Sequence, residues 1–229
     1  MSYSLYIYGS RARNDSVKYS DTDLLVVFDK TNNIDKKNIS IPEDLIAENN
    51  NLDISYYSIG RLKKMYKSGH LFAWHLFAES KHLDVGIDYL GNLGKPNEYM
   101  SFIHDVQPLL ELLGSSKKEL EASNVNIIYE AGLVYVCARN IAISASYYSP
   151  AGLTFSTYAP FLLDNKNNPF PITKHNYEKL RRARLACTRG LNPLSILRGE
   201  VIECINNVTK WATTEYIRIT NERNYEASV

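Results

Sequence analysis

Two carboxylates, Asp21 and Asp23, stand two residues apart at the head of the apolar run Leu24-Leu25-Val26-Val27. Alternate residues of a strand point to one face, so a strand through this segment carries both acids side by side at one end. Like charges so close raise each other's cost of ionisation unless something positive lies between them. Hard carboxylate oxygens favour Mg²⁺ or Mn²⁺ in that place. The unbroken apolar run behind the pair reads as a strand buried on both faces. A chain built this way needs a layered fold that covers the strand and leaves its acidic end open.

The neighbouring segments supply the rest of such a layer. Residues 2–8 alternate Tyr3, Leu5 and Ile7 on one face and read as a strand. That strand ends in Gly9-Ser10, with a short helix start over 10–13, and ten residues separate Ser10 from Asp21. Glycine lets backbone approach a phosphate, the serine hydroxyl donates, and helix-start N–H groups point outward. Residues 52–58 alternate again and bring a third acid, Asp53, to the start of a third strand. Three carboxylates at one rim can hold two metal ions about 4 Å apart, which clamp the attacking and leaving oxygens of a phosphoryl displacement. Pro42 followed by Glu43 and Asp44 signals a short helix over 43–48.

The segment Tyr8-Gly9-Ser10-Arg11-Ala12-Arg13, with Ser20-Asp21-Thr22-Asp23-Leu24-Leu25-Val26-Val27, resembles the DNA polymerase β-like nucleotidyltransferase superfamily. It is most similar to the small bacterial members, the minimal and aminoglycoside nucleotidyltransferases. The resemblance covers roughly the first 60 residues. It implies transfer of a nucleoside monophosphate from an NTP, ATP in the first instance, to a hydroxyl, with release of pyrophosphate. The acceptor would be a small molecule, a protein or an RNA end. The resemblance gives Gly9, Ser10, Arg11 and Arg13 to the nucleotide, and Asp21, Asp23 and Asp53 to Mg²⁺ or Mn²⁺ and catalysis. Asn14 stands where a glycine often follows in the family, and asparagine enters the left-handed region at modest cost. The chain starts directly at its first strand, the expectation for a trimmed catalytic core.

Beyond residue 58 the apolar period changes to 3.6. Ile59, Leu62, Met65 and Tyr66 share one face, and Leu71, Trp74, His75 and Ala78 another. Gly86, Gly91, Gly94 and Pro96 mark a linker, and helices are expected over 98–113, 120–147, 176–187 and 195–222. The expected fold is therefore α+β: a nucleotidyltransferase domain over 1–95, a small mixed sheet with flanking helices, followed by a helical bundle over 96–229.

In the second half Glu130 and Arg139 interrupt an apolar helix, and a buried charge needs a partner or a cleft. Two readings stay open for Glu130: a polar tie between helices, or a general base toward the acceptor hydroxyl. The aromatic segment 155–161 reads as packing. Lys179, Arg181, Arg182, Arg184 and Arg189 read as a solvated helix face, with phosphate contact as the sharper option.

A formal net charge of +1 excludes a histone-like binder and an acidic tail protein. The richest apolar run, 131–138, ends at Arg139, so no stretch is expected to cross a membrane, and no secretion signal opens the chain. Cys137, Cys187 and Cys204 have no CxxC spacing and fit thiols in a reducing cytoplasm. The sequence leaves a homodimer open. The competing function is a non-catalytic nucleotide-binding module, an antitoxin-like partner or sensor. A third reading, a nucleotide polymerase, leaves little chain to grip a template.

Overall fold

A computed structural model of the chain describes residues 3–16, 21–29, 39–42, 45, 52–122 and 125–226, with side chains to 223. The helix expected over 43–48 lies outside the described residues apart from Leu45, and so does Ser20. The chain divides into two compact units, Met1–Ser101 and Phe102–Val229.

The first unit is a four-stranded mixed sheet with helices. In chain order it runs β1 (Tyr3–Tyr8), α1 (Gly9–Arg13), β2 (Thr22–Phe28), β3 (Leu52–Ser58), α2 (Ile59–Lys67), α3 (Leu71–Glu79), β4 (Lys81–His82) and α4 (Tyr89–Leu93). The strand order is β3-β2-β1-β4. β1 is antiparallel to β2 and β4, and β2 is parallel to β3. The two central strands are buried on both faces, which is why β2 reads as a continuous apolar run. Tyr6, Tyr8, Leu25 and Val27 face Leu62, Tyr66 and Leu76 of the helical layer. Leu5, Leu24 and Val26 fill the other face together with Ile39 and Ile41.

The three strands expected from the sequence are present. The five-residue α4 falls where the sequence reads as linker, and the two-residue β4 lies just before it. Neither is long enough to show a period. Asp88 makes α4 possible by accepting the Gly91 N–H at 2.9 Å, an N-cap in the Asx manner.

The second unit is helical: α5 (Phe102–Glu121), α6 (Ile127–Ser146), a 3₁₀ turn (Ala159–Phe161), α7 (Lys174–Arg189) and α8 (Arg198–Glu226). The helix expected over 120–147 starts later, at Ile127, where Asn126 accepts the Tyr129 N–H at 3.1 Å, and residues 120–121 instead end α5, which runs past its expected end at 113. The helix expected from 98 begins at Phe102 instead. Thr173 and the left-handed Gly190 bound α7.

The membrane expectation also needs correction. α6 is long and apolar enough to cross a membrane by length and composition, and 56% of an 18-residue stretch of it is buried inside the molecule. It packs against α5, α7 and α8 as the central helix of its unit. Its two charges are both engaged. Glu130, 5% exposed, accepts the Ser116 hydroxyl of α5 at 2.5 Å, and the Arg139 Nη2 donates to the Phe155 carbonyl at 2.8 Å.

Ser116→Ala strips a buried carboxylate of a hydrogen bond, and a loss of about 1–3 kcal/mol is expected in urea unfolding. Glu130→Gln keeps an acceptor toward Ser116 and should cost less. Equal stability of Ser116→Ala and wild type would remove this tie from the account.

Candidate active site

β1 turns into α1 through a single residue. Tyr8 is still extended, while Gly9 sits at φ +72°, a region that glycine enters without a Cβ penalty. A Cβ on Gly9 would overlap the Asp23 carboxylate. The glycine therefore does two things at once: it permits the bend, and it leaves room for an acid on the neighbouring strand. The sequence reading gave Gly9 only the approach of a phosphate. At the far end of α1, Asn14 takes φ 63° and closes the helix in the left-handed conformation.

Register brings the acids together. Tyr8 of β1 lies opposite Asp23 of β2, and Asp23 is in turn the register partner of Asp53 on parallel β3. Neighbouring strands lie about 4.8 Å apart, so Asp23 and Asp53 start from adjacent backbone at the same sheet end. Asp21 immediately precedes β2, two residues from Asp23. Asp21 and Asp23 are half-buried and Asp53 is exposed.

The Tyr8 hydroxyl reports the same convergence. Burial pushes its pKa up and both the Asp23 and Asp53 carboxylates push it further, against a hydrogen bond with Ser55. Tyr8 thus stays protonated and donates to the Ser55 hydroxyl at 3.4 Å. No group of three or more His, Cys, Asp or Glu side chains is gathered as a metal cluster among the described residues. What fits a divalent cation here is the donor type and its placement: hard carboxylate oxygens on adjacent, in-register strands.

The α1 cations separate in role. Arg13 is only 19% exposed and donates through Nη1 to Glu79 of α3 at 2.5 Å and through Nε to Asp15 at 3.1 Å. Glu79 also meets His75 Nε2 at 2.8 Å. The His75 ring stands edge-on to Tyr8 at 5.5 Å, and Phe72 does the same at 5.8 Å. The circuit closes: α3 holds α1 through Arg13 and holds the residue before Gly9 through Tyr8. Arg11 is different, since its Nε is buried with no hydrogen-bond partner among the described residues. Ser10 is partly exposed at the start of α1. Glu130 belongs to the helical unit, where Ser116 holds it.

Sequence reasoning missed Tyr8, His75 and Glu79 as parts of the site. His75 and Glu79 carry a visible signal, being four apart on one helix face. Nothing local in the sequence pairs them with Arg13, 66 residues from Glu79.

Gly9→Ala is expected to destabilise the chain by more than about 1 kcal/mol in urea unfolding, because it needs positive φ and displaces Asp23. Glu79→Ala leaves a largely buried guanidinium short of its partner, and should cost about 1–3 kcal/mol by the same measurement.

Residues 2–110 match the family model described as a nucleotidyltransferase domain. The match takes in the whole sheet and the candidate site, and runs on into α5. No curated protein matches the chain. Over residues 2–110 the chain thus carries a nucleotidyltransferase domain, which supports the polymerase β-like superfamily and nucleotidyl transfer as its activity.

Proposed function

We propose that the chain is a divalent-metal-dependent enzyme that transfers a nucleoside monophosphate from an NTP, ATP in the first instance, to a hydroxyl acceptor. The observation that carries this reading is the register pairing of Asp23 with Asp53 beside the Gly9 bend. Hard carboxylate oxygens on adjacent, in-register strands suit a divalent cation, which would offset their mutual repulsion.

In this reaction the acceptor oxygen attacks the α-phosphorus, the bond from that phosphorus to the bridging oxygen breaks, and pyrophosphate leaves with the electron pair. Asp21, Asp23 and Asp53 would hold Mg²⁺ or Mn²⁺, which when bound neutralises charge on the phosphates. Asp53, the exposed acid, would either ligate metal or take the acceptor proton. Ser10 and the backbone of α1 donate to the triphosphate, and the unpartnered Arg11 Nε lies on the same short helix. Arg13 acts by positioning, since Glu79 and Asp15 already engage it. The acceptor is a small molecule, a protein or an RNA end. Three free cysteines suit a cytoplasmic enzyme.

The test is release of pyrophosphate from ATP with Mg²⁺ and a cell lysate as acceptor source, with α-labelled ATP marking the product. Asp23→Asn and Asp53→Asn should each lower turnover at least about 100-fold while the circular dichroism spectrum is kept. Wild-type rates in the double variant would overturn the catalytic reading. Nucleotide retained without any turnover by the wild type would favour the binding-module alternative.

A further inference from the structure

The opposite edge of the sheet carries a second polar feature that nucleotidyl transfer does not use. A cavity of about 200 Å³ opens where β1 and β4 meet α2, α3 and α4. At about 30 Å³ per water it has room for roughly six waters. That is below the roughly 300 Å³ of typical drug-sized pockets. Tyr6, Tyr66, Phe77 and His82 give it aromatic walls, and Asp88 gives it a carboxylate. The acids of the candidate active site lie across the sheet on β2 and β3, whereas this cavity lies along β1 and β4.

One group in the cavity wall is unsatisfied. Tyr66 is 5% exposed, and its buried hydroxyl has no hydrogen-bond partner among the described residues. Leaving such a hydroxyl unpaired costs free energy, so each case calls for an explanation. Tyr6 is by contrast fully engaged. It donates to Asp88 Oδ1 at 3.0 Å and accepts the Leu90 N–H at 3.1 Å. Burial raises the Tyr66 pKa to about 12, with the Tyr6 hydroxyl and the Asp88 carboxylate adding to the rise. The Tyr66 hydroxyl therefore stays neutral and lies within electrostatic reach of both.

We propose that this cavity binds a small organic cation, an ammonium or guanidinium group held by the Asp88 carboxylate and the Tyr66 hydroxyl against the aromatic walls. The sign follows from Asp88, since the two ring nitrogens of His82 meet the Val85 carbonyl and Asp84: a carboxylate repels phosphate and carboxylate ligands. Tyrosine oxygen accepts the N–H bonds such a cation brings, and the aromatic rings of Tyr6 and Phe77 in the lining suit a cationic group. Phe77, which lines the cavity, is 46% exposed.

Calorimetric titration of the full chain with n-butylammonium and n-butylguanidinium tests the site, without nucleotide or metal. Its outcome is then independent of whether Asp21, Asp23 and Asp53 catalyse transfer. Saturable 1:1 binding is expected near the millimolar range that so few atoms support. n-Butanol should bind at least about tenfold more weakly and butyrate not at all. Asp88→Asn keeps the α4 cap and the acceptor for Tyr6, and should weaken cation binding at least about tenfold. Tyr66→Phe keeps the ring and should weaken it about three- to tenfold. Tyr66→Phe carries the test if Asp88→Asn fails to fold. No saturable binding by either cation, equal binding of butanol, or full affinity in Tyr66→Phe would each mean hydration only, and would overturn the proposal.

Discussion

The contact between Gly9 and the Asp23 carboxylate governs the layout of the first unit. A β-strand that turns at once into a helix here uses one residue of positive φ, and that residue lies against the carboxylate of Asp23, the partner of Tyr8 on the neighbouring strand. A Cβ at position 9 would overlap Asp23 Oδ2, so the Asp23 carboxylate would have to move. The bend and the acidic rim are therefore one constraint. Where the chain reverses decides where the carboxylate stands, and the antiparallel register of β1 with β2 transmits that choice into the sheet.

A second layer of the same constraint runs through α3. Arg13, Glu79, His75 and Tyr8 form a continuous chain of contacts from the end of α1 back to the residue before the bend. An exposed Arg–Glu pair contributes little, but this one is largely sheltered from solvent, where desolvation is recovered only by good geometry and further bonds. The Asp15 and His75 contacts supply those bonds. A five-residue helix cannot stabilise itself, since nucleation outweighs the few hydrogen bonds it forms. α1 keeps its place because α3 holds it, which leaves Ser10 and Arg11 at the bend free of that structural duty.

Most of the first unit was legible because its signals are local. Alternation marked β1 and β3, a continuous apolar run marked β2, and the Gly-Ser to Asp-x-Asp spacing marked the rim. What stayed hidden depends on pairing across distance. β4 exists because Tyr6 and Ile7 pair with His82 and Lys81, and two residues show no period of their own. The second role of Arg13 needed a glutamate from another helix. In the helical unit, hydropathy ran smoothly through 120–147, and the capping geometry of Asn126 sets the later start at Ile127. Glu130 could be read two ways in sequence, and its hydrogen bond with Ser116 ties α5 to α6.

Tyr6 and Tyr8 show how one strand face serves two environments. Both are buried, both point into the helical layer, and both have pKa values raised by burial. Tyr8 lies toward β2 and β3, where its hydroxyl bonds Ser55 and feels two carboxylates. Tyr6 lies toward β4, where its hydroxyl is saturated by Asp88 and Leu90. Two residues of separation along β1 are enough to pass from one environment to the other. A strand spaces same-face side chains by about 6.6 Å, so packing alone would treat the two tyrosines alike. Their hydroxyls differ because the layers beyond them differ: acids in register on one side, and on the other a cavity whose wall still holds a hydroxyl in need of a partner.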